Sequence, residues 1–205
     1  MFLHKLGTAA AVVALFASSH AFAGIAYDES VSGDLSDIRS APTLISFVVG
    51  DNDLLGSTGW VSDDFAYRDY GTFVIPENTV LTGITVLPGT GSDEGGGQLF
   101  FGLQAGGQIT VHPETYVGQQ NLLGWNHFSE SQVGTGLVGS ALPLAAGTYS
   151  FWIQDYDEAE APYGLRFTLE STVPVPEPET YALMGVGLLL LGMAANRGRR
   201  NARAG

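Results

Sequence analysis

The strongest constraint on folding is a strict two-residue alternation. In "TYSFWIQ" Tyr149, Phe151 and Ile153 point one way, while Ser150, Trp152 and Gln154 point the other. In "GLRFTLES" Leu165, Phe167 and Leu169 alternate with Arg166, Thr168 and Glu170. Strand side chains alternate faces, whereas a helix repeats about every 3.6 residues, so these runs bury one face only as strands. "DYDEAEAPY" lies between them, and the pair reads as an antiparallel hairpin with a long acidic loop. "PTLISFVVG" aligns Ile45, Phe47 and Val49, "GTFVIPENTVLTGITVLPG" reads as two strands around Pro76-Glu77-Asn78, and "GQLFFGLQAGGQITV" as two more turning at Gly106-Gly107. No stretch between them has a helical period with caps, and many of the 28 glycines fall at candidate turns. The expected fold is all-β: a single antiparallel β-sandwich or jelly roll over residues 24–172.

Both flanks read as targeting segments. Lys5, an apolar stretch and the small-x-small order at Ala21-Phe22-Ala23 predict a signal peptide over 1–23, removed after Ala23 by signal peptidase once the general secretion machinery has engaged it. At the other end, over 173–200, Pro174, Pro176 and Pro178 alternate and predict an extended stem, since proline cannot sit inside a helix. Thr180 can cap a helix, and the uncharged run from Tyr181 to Ala195 would span roughly 22 Å as one, against a hydrocarbon core of about 30 Å. That is a short transmembrane helix. Arg197, Arg199, Arg200 and Arg203 follow as a basic stop-transfer cluster held on the cytoplasmic side, with 201–205 as a tail. A permanent anchor is the rival reading.

Charge and cysteine content narrow the function. Between Asp28 and Glu170 nineteen acidic side chains face only Arg39, Arg68 and Arg166, leaving −16. Such a surface repels a phosphate backbone, so nucleic acid is excluded as a partner. The absence of cysteine excludes thiol catalysis and zinc–thiolate sites, and leaves stability to a packed core or bound ions.

Candidate chemistry is sparse. His112 and His127 sit in no nucleophile motif and lack metal-ligand spacing, so no catalytic residue is assigned and no enzyme is expected. A secreted hydrolase using either histidine is the rival. Calcium takes carboxylate and carbonyl oxygens, and the acidic clusters holding Asp51, Asp53, Asp155 and Asp157 are the candidates for weak binding; no other cofactor is expected. Trp152, on the face opposite Tyr149 and Phe151, is the candidate for stacking on a sugar ring.

Two resemblances follow from these residues. Pro176-Glu177-Pro178, a short Gly/Leu-rich span and a terminal arginine cluster together resemble the PEP-CTERM sorting signal. The resemblance implies recognition by an exosortase, a membrane-embedded cysteine protease or transpeptidase of Gram-negative bacteria, with cleavage near the motif. It implies delivery, through a transient inner-membrane intermediate, to the cell surface or extracellular matrix, in association with exopolysaccharide and biofilm. In the body, Asp69-Tyr70, Ile75-Pro76-Glu77-Asn78 and Gly147 to Ile153 resemble the pre-peptidase C-terminal type of β-sandwich. That resemblance implies a structural or adhesive module without catalytic activity.

Overall fold

The computed structural model describes residues 23–58, 60–61, 65–66, 68–91, 98–137, 142–155, 161–173 and 183–192. In chain order the strands are β1 (Gly24–Asp28), β2 (Thr43–Ile45), β3 (Gly50–Thr58), β4 (Trp60–Val61), β5 (Phe65–Ala66), β6 (Arg68–Ile75), β7 (Thr79–Val86), β8 (Leu99–Ala105), β9 (Leu122–Phe128), β10 (Gly147–Asp155) and β11 (Ala161–Ser171). One short helix, α1 (Glu29–Ser32), follows β1, with Asp28 accepting a hydrogen bond from the Ser30 backbone N–H as its cap.

The strands form a four-stranded sheet in the order β1-β3-β11-β7, a five-stranded sheet in the order β2-β6-β10-β8-β9, and the small β4-β5 pair. The all-β expectation is met. The interior pairings are antiparallel, but β1 runs parallel to β3 and β2 parallel to β6 at the sheet edges, so neither large sheet is purely antiparallel.

The alternation places the core between the two sheets. Phe73, Phe101, Phe151 and Ile153 from one sheet meet Leu54, Leu165, Phe167 and Leu169 from the other in one buried cluster. Phe73 sits edge-on to Phe167 with centroids 5.6 Å apart. Each such fully buried side chain contributes about 1.5–3 kcal/mol of transfer free energy, the main favourable term in a chain without disulfides. In β7 the alternation slips: Thr79 and Leu81 are buried, then Ile84 and Val86. Thr168 lies opposite Gly83 and Leu169 opposite Leu81, so Thr82 is an extra residue, a bulge that resets the phase.

Two strand connections differ from the sequence expectation. β10 and β11 are not a hairpin: β10 pairs with β6 and β8, and β11 with β3 and β7. β6 and β7 do flank Pro76-Glu77-Asn78 as expected; they belong to different sheets, and the turn through Asn78 (φ 60°) carries the chain across the sandwich. Alternation specifies which face a strand buries, and two strands burying a face in one core can lie side by side or on opposite sides of it. Beyond Gly106 the chain forms no second strand. Ile109 and Val111 instead fold onto the outer face of the five-stranded sheet, against Tyr70, Phe100 and Trp152.

Candidate functional site

Two features stand out on this frame, one between the sheets and one on the outside of the larger sheet. The first begins with a carboxylate out of place. In β6 the inward positions are Asp69, Gly71, Phe73 and Ile75, and Asp69 is only 3% exposed. Across the interior it meets Glu29 of α1, with Asp34 beside it, and ligand oxygens of the three lie within 4.8 Å of one another. Tyr163 of β11, in phase with the core residues Leu165 and Phe167, donates its hydroxyl to Glu29 Oε1 at 3.1 Å and also hydrogen bonds with Asp69. The backbone N–H of Leu35 donates to Glu29 Oε1 at 2.9 Å and that of Ser57 to Oε2 at 2.8 Å. A side chain at Gly56 would run into the Glu29 carboxylate and the Tyr163 hydroxyl, so glycine there makes the recess possible.

The electrostatics are unbalanced. Asp69 Oδ2 is buried without a hydrogen-bond partner. Burial pushes the Asp69 carboxyl up to about 8, the Glu29 charge and then Asp34 add to it, and the Tyr163 hydrogen bond works the other way. Burial also raises Glu29, against the hydrogen bonds from Leu35 and Ser57. Tyr163 is held well above its ordinary value, first by burial and then by the charges of Asp69 and Glu29. Among the described residues no arginine or lysine pairs with any of the three carboxylates. The group can therefore hold either protons or a cation. Calcium–oxygen distances of roughly 2.3–2.6 Å let one ion bridge oxygens up to about 5 Å apart, and calcium takes carboxylate ligands by preference.

Sequence reading placed calcium elsewhere. Asp51 and Asp53 are strand residues on the outer face of the four-stranded sheet, opposite Thr168 and Arg166. Arg166 grips Asp53 with two hydrogen bonds, Nε to Oδ1 at 2.7 Å and Nη2 to Oδ2 at 2.9 Å. Asp51 accepts from the Thr168 hydroxyl at 2.8 Å and lies 3.6 Å from Arg166 Nη1. Arg166 thus stands where a metal would have to be, which corrects the expectation for this pair. Asp155 ends β10 as a buried residue, and Asp157 lies outside the described residues. Glu29 and Asp34 lie five residues apart at α1, and Asp69 joins them from β6, further along the chain. The legible signal was a carboxylate at Asp69, in phase with the core.

The second feature is an aromatic shelf. Register places Trp125, Gly102, Trp152 and Tyr70 in one row across β9, β8, β10 and β6. A Cβ at Gly102 would come within 3.0 Å of the Phe100 ring, so the missing side chain gives that ring its place. Phe100 lies 4.6 Å from Trp152 and 6.3 Å from Trp125, stacked on the latter at an interplanar angle of 22°. His127 stands edge-on to Trp125 at 5.8 Å. The covering segment is pinned by Arg39, which donates to the carbonyls of Thr110 and Val111, and by Gln104, whose amide bonds Thr110 twice. A cavity of about 280 Å³ opens between this segment and β9, with Phe100, Trp125, His127 and Trp152 in its wall.

Trp152 itself has no exposed surface, which corrects its reading as an exposed stacking platform. The alternation does turn it away from the inter-sheet core, but Ile109, Val111, Tyr70 and Phe100 cover it. Trp125 is half-exposed, at 45%. His112 lies in the covering segment, its Nδ1 accepting from the Glu114 N–H at 3.4 Å.

At the C-terminus residues 183–192 form a helix with its leucines exposed. This falls inside the expected span, yet among the described residues no helix is long and apolar enough to cross a membrane. Pro176, Glu177 and Pro178, the arginines Arg197, Arg199, Arg200 and Arg203, and Ala21 lie outside the described residues; Ala23 begins them.

Residues 174–200 match the family model of the PEP-CTERM protein-sorting motif. No curated protein and no solved structure matches the chain. The motif implies export, membrane-associated sorting and an exosortase as processing partner.

Proposed function

For this chain, a PEP-CTERM protein by its C-terminal motif, we propose the role of a non-catalytic structural or adhesive component of the cell surface or extracellular matrix of a Gram-negative bacterium. The matched motif carries this reading. The secretion machinery exports the body, signal peptidase removes 1–23, and the short helix with its arginine cluster holds the chain in the inner membrane. The exosortase then cuts near Pro176-Glu177-Pro178 and frees the body for the exopolysaccharide or biofilm matrix. The supporting physics is a span too short for a comfortable anchor, separated from the sandwich by a proline stem. The strand and turn residues at Asp69-Tyr70 and Ile75 to Asn78 support a body of the pre-peptidase C-terminal type. Intact mass of the protein from cells with and without the exosortase tests the route. The expected result is loss of the arginine tail only where the enzyme is present; an intact tail in both strains refutes it.

Calcium belongs to this reading at Glu29, Asp34 and Asp69. Its support is the buried, unpartnered oxygen of Asp69 inside a three-carboxylate group without a basic partner. Bound there, the ion ties α1 and the loop after it to β6, and so braces one end of the sandwich. A thermal melt in calcium against chelator tests it: a raised Tm in millimolar calcium is expected, and an unchanged Tm removes the ion.

A further inference from the structure

We propose that the cavity beside β9 binds one pyranose ring of a neutral polysaccharide, with the Trp125 indole as its stacking face. The inference rests on the matrix reading above and gives it a recognition site. Three observations carry it. The Trp125 ring is 45% exposed, yet Phe100 backs it in a stacked arrangement and His127 abuts it edge-on, so the exposed face is flat, apolar and held in orientation. The axial C–H groups of a pyranose present a matching flat apolar face, and a rigid aromatic loses little freedom in taking it.

The cavity, at about 280 Å³, sits just below the common range for small-molecule pockets, a size for one ring rather than an extended ligand. It also lies against β9, an edge strand of its sheet, where a polymer can run past while one unit enters. The amide of Gln119, exposed at the same cavity, can bond a sugar hydroxyl.

Charge selects a neutral glycan. The chain carries −13, and on this face Arg39 is engaged by the Thr110 and Val111 carbonyls, while Arg68 is engaged by Gln154 and Glu114. A uronate or sulfate would meet repulsion without an available counter-charge.

The test is affinity electrophoresis of the exported protein, purified from the cell surface, through gels containing laminarin, hydroxyethylcellulose, galactomannan or alginate, paired with tryptophan fluorescence titration. Retardation and quenching by at least one of the three neutral polymers are expected. Trp125→Ala should weaken that affinity about tenfold or more, and Trp125→Phe should restore part of it. A single cooperative urea transition for Trp125→Ala, with a midpoint lowered only slightly, shows that the fold is intact. The proposal is overturned if no neutral polymer retards the protein, if alginate alone does, if a proline-rich peptide competes for the cavity where oligosaccharides do not, or if a folded Trp125→Ala variant is retarded like the wild type. Processing and matrix retention are read separately, by intact mass and cell fractionation. A failed cavity with normal sorting therefore leaves the matrix role standing, and failed sorting leaves the cavity to be judged by the gels.

Discussion

Replacing Asp69 by asparagine separates the cost of a buried charge from the rest of the sandwich. Its carboxyl titrates at about 8 in the folded protein, against an ordinary value of 3.8. Between those limits the folded state keeps a proton that the unfolded state releases, so stability falls as pH rises, by about 1.36 kcal/mol per unit. The contribution is complete below the unfolded value and is lost as pH climbs through the folded one. From pH 5 to 7, in chelator, Asp69 alone removes about 2.7 kcal/mol, or roughly 5–10 °C of Tm for a chain of this size. Asp69→Asn keeps the shape and removes the titration. Scanning calorimetry from pH 4 to 9 in chelator should therefore show a steep decline for the wild type and a flatter line for the variant, with the variant the more stable of the two at pH 8. Calcium takes the place of the proton. Millimolar calcium should raise the wild-type Tm more at pH 8 than at pH 6, and leave the variant unmoved. Parallel pH profiles for the two proteins would refute the buried-charge reasoning, and an equal calcium shift in both would refute the ion's place.

Gly56→Ala pushes a methyl group into the Glu29 carboxylate and the Tyr163 hydroxyl, so a loss of about 1–3 kcal/mol is expected in urea unfolding, together with a weaker calcium response. Trp152→Ala opens a fully buried site and should cost about 3–5 kcal/mol, whereas Trp125→Ala, half-exposed, should cost well under that by the same measurement. Arg166→Met leaves Asp51 and Asp53 facing each other's charge. Because the pair is partly exposed, the expected loss is about 1 kcal/mol, shrinking as salt is added, as denaturation at two ionic strengths will show. Substituting Pro176, Glu177 and Pro178 together with alanine should leave the arginine tail on the protein recovered from an exosortase-containing strain, read as intact mass.

The candidate sites were unevenly legible. Trp152 was placed correctly outside the inter-sheet core, but its cover comes from Ile109 and Val111, whose folding back across the sheet has no local signature. Trp125 is exposed on the outer face of an edge strand, and that edge position is known only from the strand order. Asp51 and Asp53 looked like loop ligands because carboxylates are rare in strands. Arg166 sits at the right distance only because β3 and β11, more than a hundred residues apart in the chain, pair in one register.

What the sequence determined by itself is local or linear. Two-residue alternation fixes strand character and the buried face, since a strand's geometry repeats within the chain. The sorting motif is likewise readable, because a partner recognises it as a stretch of chain. Strand order, the crossing of β6 to β7 and of β10 to β11 between sheets, and the meeting of Glu29, Asp34, Asp69 and Tyr163 were decided only by the tertiary structure. Alternation is the same whichever neighbour a strand takes. The carboxylate cluster has no existence until the fold lays β6 against α1 and its loop, within 4.8 Å, and burial gives the charges weight.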